Sequence, residues 1–236
     1  MGITVNGVGG GGSSTPVTSS EFVTSGLVAG YKFTEGSGQV LTDFGPNALN
    51  GQLGTSAGSE IEDPTWVAGR GLLFDGVNDR VKVLTPNAAM RLTTALSVEI
   101  SLSFTAGGGV WDKTGADVTN SNYLLIVGNP TTTFRTVKAT VNQDLAVTTS
   151  QIVVGGKYHI VCTWDASKNM QVFFDGVPLG VQKVLSAPID NVDGAFWIGA
   201  LGSNVQPFSG TIYKLSVYNR SLTNAEVRTL YESPGF

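Results

Sequence analysis

The 236-residue sequence contains one cysteine, Cys162, and one histidine, His159. A lone cysteine cannot close an intramolecular disulfide, so nothing here requires an oxidising compartment. Charge is equally scarce: 14% of residues are charged, against the usual quarter or so. The formal net charge is -4 and no basic cluster exists, which excludes an electrostatic grip on nucleic acid. No run of 18 apolar residues occurs, so no helical segment is fit to cross a membrane. The opening Met1-Gly2-Ile3-Thr4-Val5-Asn6 lacks the basic and apolar regions of a secretory signal. Without such a signal, the sequon Asn219-Arg220-Ser221 reads as chance.

What the chain does have is apolar residues (41%) and 31 glycines. That combination suits one large all-β domain with many tight turns, plus an appendage. Residues 1–25 form the appendage, with four consecutive glycines from Gly9 to Gly12 followed by Ser13, Ser14, Thr15 and Pro16. Such a composition cannot bury enough surface to fold alone. It reads as an extended attachment arm with apolar anchors at Ile3, Val5, Val8 and Val17. Residues 26–236 form the domain.

Within the domain, short apolar runs alternate with turn signals, as in a sandwich. Leu96, Val98, Ile100, Leu102 and Phe104 fall on one side of a period-2 pattern, hence a half-buried strand. Further strands are predicted at 27–33, 71–74, 80–83, 123–127, 134–141, 152–154, 158–164, 170–174, 177–179, 196–199 and 210–218. Asp175-Gly176 between two of these is the chemistry of a type I′ hairpin, in which both residues need φ > 0. Thr223-Asn224-Ala225-Glu226 is a capping box that opens a short C-terminal helix.

Several segments then carry a resemblance. Tyr31-Lys32-Phe33-Thr34-Glu35-Gly36-Ser37-Gly38 is followed by Asp43 and Asn47. Gly71-Leu72-Leu73-Phe74-Asp75-Gly76, Tyr158-His159-Ile160-Val161-Cys162-Thr163-Trp164-Asp165 and Phe173-Phe174-Asp175-Gly176 come next. Phe208 to Arg220 and Ser221 to Glu226 close the set. In this order the chain from about Leu27 to Tyr231 resembles the laminin-G-like domains of the concanavalin A-like lectin/glucanase superfamily. The resemblance implies a two-sheet antiparallel jelly-roll sandwich whose first and last strands pair. It also implies that His159 is structural. Relatives often hold a calcium ion between those two strands, and Asp43, helped by Asn47, matches the first ligand position. The second acid position falls at Tyr213, beside Lys214, which weakens any calcium site; no cofactor is therefore expected.

Glycosidases on this fold place two carboxylates along one strand, about 5–5.5 Å apart in retaining enzymes. Glu99 sits in the comparable strand, with serine at 97, 101 and 103. Glu60, Glu62 and Asp63 cluster only in a loop beside Pro64. The chain is accordingly expected not to be an enzyme. A glycan platform would need exposed loop aromatics; Trp111 after Gly107-Gly108-Gly109 is the first candidate, then Phe208 and Trp66. The expectation is a non-catalytic module on a virion surface, docked to other subunits through residues 1–25 and open to host glycans. The alternative is a carbohydrate-binding or adhesion domain of a bacterial surface or secreted protein. A fold of this kind hosts both.

Overall fold

The computed structural model describes residues 21–83, 88–114, 121–138, 141–148, 151–185, 189, 194–202 and 205–233. The arm anchors Ile3, Val5, Val8 and Val17 lie outside the described residues. In chain order the strands are β1 Leu27–Tyr31, β2 Val40–Leu41, β3 Gly51–Leu53, β4 Thr65–Trp66, β5 Leu72–Asp75 and β6 Val81–Val83. They continue with β7 Leu96–Ala106, β8 Gly108–Thr114, β9 Ser121–Val127, β10 Thr131–Lys138 and β11 Val141–Thr148. The last are β12 Lys157–Trp164, β13 Asn169–Phe174, β14 Val177–Val184, β15 Phe196–Ile198 and β16 Ser209–Tyr218, followed by helix α1, Asn224–Tyr231.

Two antiparallel sheets result. One runs β14-β13-β12-β7-β16-β5-β4, with β1 also paired to β16. The other runs β11-β10-β9-β8-β15-β6-β3-β2. The expected pairing of first and last strands is present, with Leu27 opposite Tyr218 and Tyr31 opposite Leu215. The core lies between the inner faces. Leu96, Val98, Ile100, Leu102 and Phe104 of β7 meet it with Ile160, Cys162 and Trp164 of β12. From the other sheet come Trp111, Tyr123, Leu125, Phe134, Phe196 and Ile198.

The structure differs from the sequence reading in several ways, since β8 is an additional strand and the predicted strand 134–141 spans the end of β10 and the start of β11; three further differences concern the packing. First, β7 is buried on both faces, not one. Its outer face carries a second, smaller core of Val161, Phe173, Tyr218, Leu222, Val227 and Leu230, closed by α1 and by Val23 and Leu27. Each such side chain removed from water contributes about 1.5–3 kcal/mol, which is what holds the short helix on the sheet. Second, residues 21–25 belong with the domain rather than the arm. Phe22 is buried, and Glu21 bridges Lys32 at 2.9 Å and Arg70 at 3.0 Å. Third, 152–154 is not a strand: Ile152 is buried while Val153 and Val154 stand in solvent before β12.

The Asp175-Gly176 hairpin is as the sequence predicts, with φ of 48° and 77°. The capping box is also present: the Thr223 hydroxyl accepts from the Glu226 amide and the Thr223 amide donates to Glu226 Oε2 at 2.8 Å. Gly176→Ala forces an L-residue to positive φ and brings its Cβ to 3.2 Å from Tyr231 of α1. It is expected to lower stability by about 1 kcal/mol or more, read as a shifted urea midpoint with an unchanged slope.

Candidate functional site

The two leading aromatic candidates are core residues. Gly108 and Gly109 do not form a loop; they let β8 run in backbone contact with its neighbours. A Cβ on Gly108 would lie 2.3 Å from the Pro207 carbonyl, and one on Gly109 2.4 Å from Leu201. Trp111 therefore continues a strand and points inward. It is fully buried, stacked on Phe196 at 6.3 Å and edge-on to Tyr123 and Phe134, each at 6.0 Å. Phe208 is also fully buried, 6.4 Å from the Phe74 ring. Neither can present a face to a sugar. Trp66 is half-buried against the core and donates Nε1–H to the Gly38 carbonyl at 2.8 Å.

Asp43 acts as a loop clamp. Its Oδ1 accepts the amides of Gly30 at 2.8 Å and Gly45 at 2.7 Å, and its Oδ2 accepts that of Leu49 at 2.7 Å. Asn47 turns its amide N–H to the Val28 carbonyl, 2.8 Å away. Calcium needs six to eight oxygen donors; here N–H groups already take up the one carboxylate. Tyr213, where the second acid would stand, lies under Lys157 Nζ at 4.7 Å, and its carbonyl accepts from Arg70. These residues do not fit a calcium ion.

A polar cluster that the sequence reading treated singly comes together on the outer face of β7, β12 and β16. Glu99 is fully buried. Its Oε1 accepts from Lys214 Nζ at 2.7 Å and meets His159 Nε2 at 3.1 Å, while Ser216 donates its hydroxyl to Oε2. Burial alone would push the carboxyl up; the His159 hydrogen bond and the Lys214 charge outweigh it and hold the group below the ordinary range. One clue was legible: Glu99, His159, Lys214 and Ser216 are polar residues in otherwise apolar strands. What was not legible is the bulge between Ile212 and Lys214, which puts Lys214 and Ser216 on the same side as Glu99. His159 is thus structural, and Cys162 lies on the opposite, core face, where burial pushes its thiol far up.

The loop acids are bound locally. Glu60 Oε1 accepts from Thr55 and Ser56, and Asp63 Oδ2 accepts the Glu60 amide at 2.9 Å. Nearby Asp79 is buried, and its Oδ2 accepts the Asp75 amide at 2.7 Å. Burial first, then the charges of Asp75 and Asp63, raises its carboxyl to about 6. Among the described residues, no cluster of His, Cys, Asp and Glu is placed to hold a metal.

A concavity of about 510 Å³ opens at the end of β12, β13 and β14. Tyr158 and Phe174 line it, their ring centroids 6.3 Å apart. Gln151, Asp175, Val177, Pro178 and Leu179 line it as well. The Asp175 carboxylate is fixed through Oδ1, which accepts the His159 amide at 2.9 Å.

Residues 75–228 match the family Laminin_G_3, described as the concanavalin A-like lectin/glucanases superfamily. This chain belongs to that family. The laminin-G-like jelly roll also aligns with solved structures. The ligand binding domain of botulinum neurotoxin serotype D, in complex with N-acetylneuraminic acid, is 12% identical at a TM-score of 0.67, over 88% of this chain and 50% of that one. The binding domain of Paraclostridial Mosquitocidal Protein 1 gives 11% and 0.67, over 87% and 52%. Trypanosoma rangeli sialidase with the inhibitor DANA gives 19% and 0.64, over 89% and 33%. This laminin-G-like chain spans half or less of the sialidase and about half of each toxin domain, and identities this low speak to fold alone. No curated protein matches the sequence.

Two outcomes follow from the charges. Glu99→Gln leaves Lys214 buried without its counter-ion and is expected to cost about 3–5 kcal/mol, read by denaturant titration. Asp79 keeps its proton in the fold up to about pH 6 but releases it near 3.8 when unfolded. Folding is therefore favoured by protonation, and stability falls as pH rises from about 4 to 6. Asp79→Asn, which retains an acceptor for the Asp75 amide, is expected to gain about 1–2 kcal/mol at pH 7.5 and nothing at pH 3.5. An equal gain at both pH values would refute the assignment.

Proposed function

We propose that this chain is a non-catalytic binding module of a virion surface. The N-terminal arm, residues 1–20 of the 1–25 segment, attaches it to other protein subunits of a large assembly, and the jelly roll is presented outward to host glycans. The observation that carries the non-catalytic part is the state of Glu99. It is the one acid in the long alternating strand, and Lys214, His159 and Ser216 already occupy both its oxygens. A carboxylate without solvent access can neither protonate a leaving group nor attack a sugar. Support for glycan binding comes from the lectin-like fold and from neighbours that are themselves binding domains.

The attachment reading rests on composition, with Gly9 to Gly12 for reach and Ile3, Val5, Val8 and Val17 as anchors. An extended β-branched peptide of this kind suits strand addition to a partner's sheet. Ordering it costs about 1–2 kcal/mol per residue, so an extensive contact is required. The second reading is a carbohydrate-binding or adhesion domain at a bacterial cell surface or outside the cell. The lectin-like fold favours it equally, and the arm separates the two.

Deleting residues 1–20, which spares Glu21 and Phe22, is expected to leave the melting temperature unchanged while abolishing incorporation into the assembly. Normal incorporation of the truncated protein would move the attachment surface onto the jelly roll. In the same preparation no reducing ends should be released from β-glucans; release that Glu99→Gln abolishes at a temperature where the variant is folded would overturn the non-catalytic reading.

A further inference from the structure

We infer that the concavity at the end of β12–β14 is a binding site for a neutral sugar ring, and that acidic sugars are excluded from it. The inference rests on reading the domain as a glycan binder and names the site and the sugar class. About 510 Å³ lies within the range of small-ligand pockets and accommodates one or two sugar rings. Of the described residues that line it, Asp175 alone is charged and none is cationic. A carboxylate accepts hydrogen bonds from a pair of sugar hydroxyls, but repels a second carboxylate desolvated beside it. The aliphatic side chains of Val177 and Leu179, which share one face of β14, suit the C–H face of a pyranose, and Val177 is 64% exposed.

The site is built rather than incidental. Asp175 is locked from both ends, its amide donating to the His159 carbonyl at 2.8 Å and its Oδ1 accepting the His159 amide at 2.9 Å. A second lining residue, Tyr158, is held through its hydroxyl, which accepts the Val153 amide at 2.7 Å and donates to the Gln151 carbonyl at 2.8 Å. Behind the turn, Tyr231 of α1 packs 5.8 Å from the His159 ring. Rotational freedom at the key carboxylate is therefore spent before any ligand arrives, which favours affinity.

The test is NMR titration of the full chain with methyl glycosides of neutral hexoses and, separately, with the methyl glycoside of N-acetylneuraminic acid. Saturable shifts are expected at Tyr158, Phe174 and Val177 for a neutral glycoside and none for the acidic one. Asp175→Asn tolerates positive φ and keeps the Oδ1 acceptor, so it is expected to fold normally and bind at least ten-fold more weakly. Leu179→Trp, which fills the space, is expected to abolish the shifts. Shifts with the acidic glycoside, or neutral binding that survives both variants, overturn the inference. Saturable glycan binding with shifts elsewhere on the jelly roll overturns the site while leaving the glycan-binding reading intact; no binding of any glycan overturns both.

Discussion

The pairing of β16 with β7 is the constraint on which the rest depends. β16 also pairs with β1 and β5, so one strand joins the beginning, middle and end of the chain. Its inner side chains, Ile212, Leu215 and Val217, enter the main core. Its outer side chains, Lys214, Ser216 and Tyr218, meet Glu99 and the helix-covered cluster. The bulge between Ile212 and Lys214 makes this double duty possible, because it changes which parity of residues faces the core. Without it, the Lys214 ammonium would point between the sheets.

Much of this arrangement was legible in the residues. Alternation along Leu96 to Phe104, the Asp-Gly turn and the Thr223 capping box are local signals, each fixed by backbone geometry that a few neighbouring residues dictate. The closure of first and last strands came from resemblance and is shown by the register Leu27 opposite Tyr218. The site candidates fared otherwise. Trp111 follows three glycines, and glycine signals both loops and close backbone approach; only the positions of Pro207 and Leu201, nearly a hundred residues away in sequence, decide between them. Phe208 is hidden for the same kind of reason, by contact with Phe74. Long-range packing determines exposure, and a single sequence does not carry it.

The charges follow a common rule. With so few in the chain, most of those described are spent on structure: Asp43 on three backbone amides, Glu21 on Arg70 and Lys32, Glu226 on its own helix and Arg220. Glu226 shows the gain, its carboxyl drawn down to about 2 by the Arg220 guanidinium despite partial burial, with the Thr223 hydrogen bonds helping. Asp175 stands apart, since it is held in place yet lines open space.

The ladder between β1 and β16 has a mechanical corollary. Leu27 begins β1 opposite Tyr218, the last residue of β16, so tension applied across these two residues would open that ladder one rung at a time, like a zip. Such a geometry yields at low force. Tension along the strands, by contrast, would load the four paired positions of that ladder together.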